Sequence, residues 1–162
     1  MICIGIDPGI SGAIGVVGLG SDLPSALDCP IITGKKHDYD LRAMRDLISN
    51  WAQWDQVIVV VERVHAMPKQ GVTSSFSFGR GFGIWQGILV ALGIPYHLVE
   101  PATWKRHYGL LGKDKSASRV LASRLFPSCS FARKKDDGRA EALLLADYGR
   151  THFGTQCENK IA

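Results

Sequence analysis

Along the chain the apolar residues change period several times, and each change marks an element. Ile2 to Ile6 and Ala13 to Leu19 are short β-branched runs joined by the Gly/Pro-rich turn DPGISG, which predicts a hairpin. A weaker third strand is expected over Pro30 to Thr33. Leu41, Met44, Leu47, Ile48 and Trp51 then recur every three or four residues, which predicts a helix capped by Asp38 and ending near Trp54. The unbroken VIVVV of Val57 to Val61 predicts a strand covered on both faces, ending on Glu62. Thr73 to Leu92 is long enough for a helix, with Thr73 or Ser74 as cap. Tyr96 to Val99 reads as a strand, Pro101 to Tyr108 as a short helix opened by proline, and Lys115 to Phe126 as a helix stopped by Pro127. A last helix is expected from about Gly138 to His152. This order predicts one α/β domain over residues 1–152 with a mixed sheet, and a loose tail over 153–162.

The helix over 73–92 is unusually rich in small residues: Ser75, Gly79, Gly83, Gly87 and Ala91 fall every fourth position and form one smooth stripe. Glycine inside a helix costs roughly 0.5–1 kcal/mol relative to alanine, so the stripe asks for a compensating close contact. Packing against the protein's own sheet and packing against a second copy across a two-fold axis account for it equally well.

Composition narrows the class. The 162 residues suit one ordinary globular domain, and there is no apolar run long enough to span a bilayer. The first residues lack a basic region and a cleavage site, so a cytoplasmic, DNA-associated location is expected. Cys3, Cys29, Cys129 and Cys157 lie far apart with no CxxC pair, which predicts reduced thiols and neither zinc nor a disulfide framework. The net charge of +4 is unevenly spread: Trp104 to Arg150 holds 11 Lys/Arg against 5 Asp/Glu. A basic face of this kind suits a polyanionic partner as well as plain solvation.

Candidate chemistry lies in the acids. Asp7 and Glu62 each follow a buried strand, and they meet if those strands are neighbours, about 4.8 Å apart. Each also has a plainer role, Asp7 bonding its own turn and Glu62 pairing with Arg63 or Arg80. Asp137 and Glu141 are four apart, on one side of the last helix, where Asp136 and Asp137 also suit helix capping. Four carboxylates converging on a partly cationic chain suit two-metal phosphodiester hydrolysis, in which one ion activates water and the other stabilises the leaving oxygen.

GIDPGISGA, the acidic end of VIVVVE, the PxxWK of Pro101 to Lys105 with Lys113 and Lys115, and DDGRAEALLLA resemble, in order, the RuvC-type Holliday junction resolvases of the RNase H-like superfamily. The resemblance implies a five-stranded sheet whose first three strands are antiparallel, a homodimer, two Mg²⁺ ions with Mn²⁺ as substitute, and paired symmetric nicks in four-way junction DNA. By position, Asp7, Glu62, Asp137 and Glu141 match the metal-binding acids, and Lys105 and Lys115 match basic residues near the scissile phosphate. Arg106, Lys113, Arg119, His65, Lys69 and Arg80 are further candidate DNA contacts, and Ser75, Gly79, Gly83 and Gly87 the candidate dimer interface. Two departures stand out. The closing acids are four apart instead of three, as in phage and organelle relatives. His65 stands where bacterial members carry an aromatic wedge, leaving Met67, Phe76 or Phe78 for that role. The alternatives are an RNase H-like nuclease of other specificity, acting on RNA–DNA hybrid or branched DNA, and a catalytically inactive DNA-binding module. Actin-like ATPases share the opening turn but need two lobes.

Overall fold

The computed structural model describes residues 1–18, 24–53, 56–65, 71–114 and 116–154. Five strands form one sheet in the order β3-β2-β1-β6-β7: β1 (Ile2–Ile6), β2 (Ala13–Gly18), β3 (Ser25–Asp28), β6 (Val57–Glu62) and β7 (Tyr96–Val99). The first three are antiparallel, and β6 and β7 run parallel to β1. Two further strands, β4 (Ile31–Ile32) and β5 (Asp38–Tyr39), pair only with each other as a small ribbon. The segment 30–33 therefore belongs to this ribbon, and the third sheet strand is 25–28. The expected position fails because SALD alternates too weakly to announce a strand, while paired isoleucines do.

The period of two in the strands splits the core into two layers. Ile4, Ile6, Ile14, Val16, Val59 and Val61 face α1 (Leu41–Ala52) and α2 (Val72–Ala91). Cys3, Val17, Ile58 and Val60 face α5 (Asp137–Phe153), with α3 (Pro101–His107) and α4 (Ser116–Leu125) completing that layer. Covered on both sides, β6 buries four consecutive residues, as its unbroken run predicts. Helix α1 is capped by Asp40, whose Oδ1 accepts from Ala43 N at 3.0 Å, because Asp38 is taken into β5. Helix α2 begins one residue early, at Val72, with Gly71 in place of Thr73 or Ser74 as its cap and no side-chain cap bond. Helix α5 runs one residue beyond the expected end, to Phe153. Cys3 and Cys29 are buried free thiols, both pushed up to about 12 mainly by burial; Cys129 is also free, and Cys157 lies outside the described residues. Among the described residues no helix is long and apolar enough to cross a membrane.

Candidate active site

Strand register brings the first two acids together. Ile6 pairs with Val61 across the parallel strands β1 and β6, so Asp7 and Glu62 leave neighbouring strands at the same level. Counting by twos from Cys3 and Ile58 puts both on the α5 layer of the sheet. The turn after β1 is tight, with Asp7 N donating to Ala13 O (3.0 Å) and Gly12 N to Gly9 O (2.9 Å). Asp7 Oδ1 accepts from Gly9 N at 3.2 Å, so its expected turn role holds alongside its place in the site. The start of α5 lies directly against it: a Cβ at Gly138 would stand 3.4 Å from Asp7 Oδ2.

Asp7, Asp137 and Glu141 line one cavity, of about 500 Å³. Asp7, Glu62, Glu141 and Lys105 line a second, of about 540 Å³. The two share Asp7 and Glu141, so all four acids surround one continuous trough. Glu62 pairs with neither Arg63 nor Arg80, which bind Glu100 (3.5 Å) and Asp38 (2.7 Å). Burial pushes the Glu62 carboxyl up to about 7, with Asp7 and Glu141 adding to the rise and the Trp104 hydrogen bond and Lys105 opposing it.

The supports of these acids come as two adjacent pairs of residues. On α3, Trp104 Nε1 donates to Glu62 Oε1 at 2.9 Å, and Lys105 Nζ lies 3.1 Å from Glu141 Oε1. On α4, Ser118 Oγ donates to the same Glu141 oxygen at 3.2 Å, and Arg119 Nε lies 2.7 Å from Asp137 Oδ1. The last pair is close enough for an ion pair but misaligned for a hydrogen bond, so both atoms stay buried without one. Trp104 and Ser118 escaped the sequence reading as site residues. Neither is marked by local spacing, because the burial that sets the Trp104 indole against Glu62 arises only in the fold.

Asp136 and Asp137 separate cleanly. Asp136 is buried against Arg133, whose guanidinium contacts its Oδ1 at 2.6 Å and holds the carboxyl below the usual range. Asp137 faces the trough. Of the other candidate DNA contacts, Arg106 and Lys113 are exposed, His65 Nε2 lies 2.9 and 3.0 Å from the two Glu100 oxygens, and Arg80 is bound to Asp38. Lys69 and Lys115, together with Met67, lie outside the described residues. Phe78 lines the trough and Phe76 is exposed.

Among the described residues, no three His, Cys, Asp or Glu side chains close on a common point as a ready metal cage. The donor chemistry nonetheless fits a hard cation. All four groups are carboxylates, and burial, with Asp7 and Glu141 adding to it, raises Glu62 as an opposing charge would relieve.

The whole described architecture has solved counterparts. The Thermus thermophilus RuvC structure superposes with a TM-score of 0.62 over 96% of this chain and 98% of that one, at 17% identity. The fold is that of RuvC. Thermus thermophilus RuvC in complex with Holliday junction substrate gives 0.65 over 96% and 97%, at 18% identity. In sequence, the chloroplastic Holliday junction resolvase MOC1 of Chlamydomonas reinhardtii is 36% identical over 89 residues, covering 53% of this chain. The chain spans about a tenth of that relative's length. No family model matches the chain.

Proposed function

We propose that this chain is a metal-dependent endodeoxyribonuclease that resolves four-way DNA junctions, acting in the cytoplasm where such DNA lies. The observation that carries the reading is the convergence of Asp7, Glu62, Asp137 and Glu141 on one trough from two adjacent strand ends and one helix. Likeness to RuvC in fold and to MOC1 in sequence supports the junction as substrate. Two Mg²⁺ ions held by these acids would supply an activated water and a stabilised leaving oxygen. The chain's own part is orientation and charge. Trp104 and Ser118 fix carboxylate rotamers, while Lys105 and Arg119 bring cations beside the acids where a phosphodiester would lie.

Two symmetric nicks call for two sites related by a two-fold axis, so the working form is a homodimer. Helix α2 suits the contact. Among the described residues, nothing lies within 4 Å of a Cβ built on Gly79, Gly83 or Gly87, and Phe76 and Val90 extend the same exposed face with relative exposures of 73% and 67%. Cleavage of labelled four-way, Y-shaped, linear duplex and RNA–DNA hybrid substrates, with Mg²⁺ or chelator, tests the reading. Paired nicks in the four-way substrate with metal alone support it. Preferential cleavage of the hybrid assigns the site to another specificity, and binding without cleavage assigns an inactive module.

A further inference from the structure

The trough has two limbs that share Asp7 and Glu141. The limb on the Glu62 side contains Lys105, Thr73, Ser74 and Phe78. The other extends from Asp7, Asp137 and Glu141 toward the β4–β5 ribbon, where Cys29 and Ile31, with Ile10 shared between the limbs, supply apolar wall and His37 and Lys135 supply cationic or hydrogen-bonding groups. Asp28, a further acid in its wall, is held by Arg139 Nε at 2.5 Å, while Lys135 Nζ stands off at 4.0 Å. Beyond His37, Lys35 and Lys36 are also exposed at the ribbon tip.

The ribbon is firmly anchored beside the acids. Tyr39 is 2% exposed, and its hydroxyl lies 3.3 Å from Pro8 O and 3.2 Å from Ser77 O, joining the ribbon to the turn that bears Asp7 and to α2. Cys29 N donates to Gly12 O at 3.0 Å, and Asp40 N to Pro30 O at 3.1 Å. The walls of this limb are thus tied by hydrogen bonds to the turn that bears Asp7. A strand with its scissile phosphate over the acids must continue to both sides. A half-enclosed space with an apolar wall and a cationic rim matches an unstacked base with its phosphate, since base recognition combines apolar contact with edge hydrogen bonds.

We propose that the limb between the β4–β5 ribbon and the start of α5 seats the nucleotide flanking the scissile phosphate, with the base against Ile10 and Ile31 and its phosphate on His37 and Lys135. This inference rests on the nuclease reading above and names where that site meets its substrate.

Four-way junctions carrying a single abasic nucleotide, walked one position at a time across the cut on both sides, test it with the native protein. Discrimination per position in protein–DNA recognition runs to roughly tenfold or more. We expect an abasic nucleotide at one flanking position to slow nicking about tenfold, and Ile31→Trp, which fills the limb, to remove that sensitivity while nicking at other sites continues. His37→Ala with Lys135→Ala should raise KM severalfold at unchanged kcat. Should Ile31→Trp fail to fold, Ile31→Ala provides the same comparison by widening the limb. Cleavage by the native protein with equal tolerance of abasic nucleotides at every position overturns the inference alone. Sensitivity that Ile31→Trp and Ile31→Ala leave unchanged overturns it too. Failure of the native protein to nick any intact junction overturns the nuclease reading itself.

Discussion

Two helices of this molecule meet glycine in opposite ways. Where α5 crosses the sheet, Gly5 and Gly15 stand opposite its backbone, and a Cβ on Gly5 would fall on the Ala142 carbonyl oxygen and within 2.5 Å of Ala146 N. A Cβ on Gly15 would strike Leu143 N and the Ala142 carbonyl. These glycines are used up inside the fold: they let α5 sink onto β1 and β2, and that depth brings Glu141 to Asp7. On α2, a Cβ built on Gly79, Gly83 or Gly87 meets nothing within 4 Å among the described residues. Its packed glycine is Gly81, facing Tyr39 and Pro8. An inward glycine therefore records a contact the chain makes with itself, whereas an outward run, destabilising to its own helix by roughly 1 kcal/mol per residue, points to a contact made with something else.

The sharpest way to break this contrast is one methyl group on each side of it. Gly5→Ala sets a Cβ against immobile backbone and should cost about 3 kcal/mol, lowering the melting temperature by on the order of 10 °C. Gly83→Ala meets open space and should raise helix stability by up to about 1 kcal/mol. Equal losses in the two melts would end the distinction.

The depth of α5 matters because of the side chains it delivers. Asp137→Asn and Glu141→Gln should each lower junction cleavage about 10³-fold or more with binding retained, since affinity comes chiefly from phosphate contacts. Asp136→Asn should instead leave cleavage nearly intact and cost roughly 1–2 kcal/mol of stability, because Asp136 is buried against Arg133 and bonds Arg133 N at 2.8 Å. Matching cleavage rates for the 136 and 137 variants would show that the register of α5 over the trough is otherwise.

The same division explains what the sequence made legible. Asp7, Glu62, Asp137 and Glu141 were readable because strand ends and helical spacing are local patterns, and the neighbouring of β1 and β6 brings the first two together. The outward face of the α2 stripe was not readable, since periodicity gives a face without saying what lies against it. Nor were Trp104 and Ser118: their roles arise from α3 and α4 packing over the α5 layer, a relation no local spacing encodes. The cap of α1 moved from Asp38 to Asp40 for a similar reason, a two-residue pairing with Ile31 and Ile32 that only tertiary contact stabilises.

Glu62 extends the contrast between self-contact and outside contact to electrostatics. Its folded-state value near 7 lies above the ordinary 4.5, so between these pH values the folded chain holds a proton that the unfolded chain has released. Metal-free stability should therefore be greatest below about 4.5 as far as this group is concerned, and decline as pH rises to about 7, by on the order of 3 kcal/mol. Glu62→Gln should flatten that decline and stabilise the metal-free protein at pH 7 while abolishing cleavage. Chemical denaturation in chelator across pH 4.5–8 measures it, and an unchanged slope in the variant would remove Glu62 as its source.

The smallest effect returns to α2 and asks what covers its open glycines. Gly83→Leu adds a side chain where the monomer has room, so the melt of the isolated chain should shift little, by less than about 1 kcal/mol. If a second copy packs there, the leucine holds the two backbones apart, because close approach depends on the absent Cβ. Light scattering over a concentration series should then show native dimers and variant monomers, with single nicks replacing paired ones in a junction assay. A native protein that stays monomeric at all concentrations, with and without junction DNA, would leave the outward glycines without the partner that the contrast with α5 assigns to them.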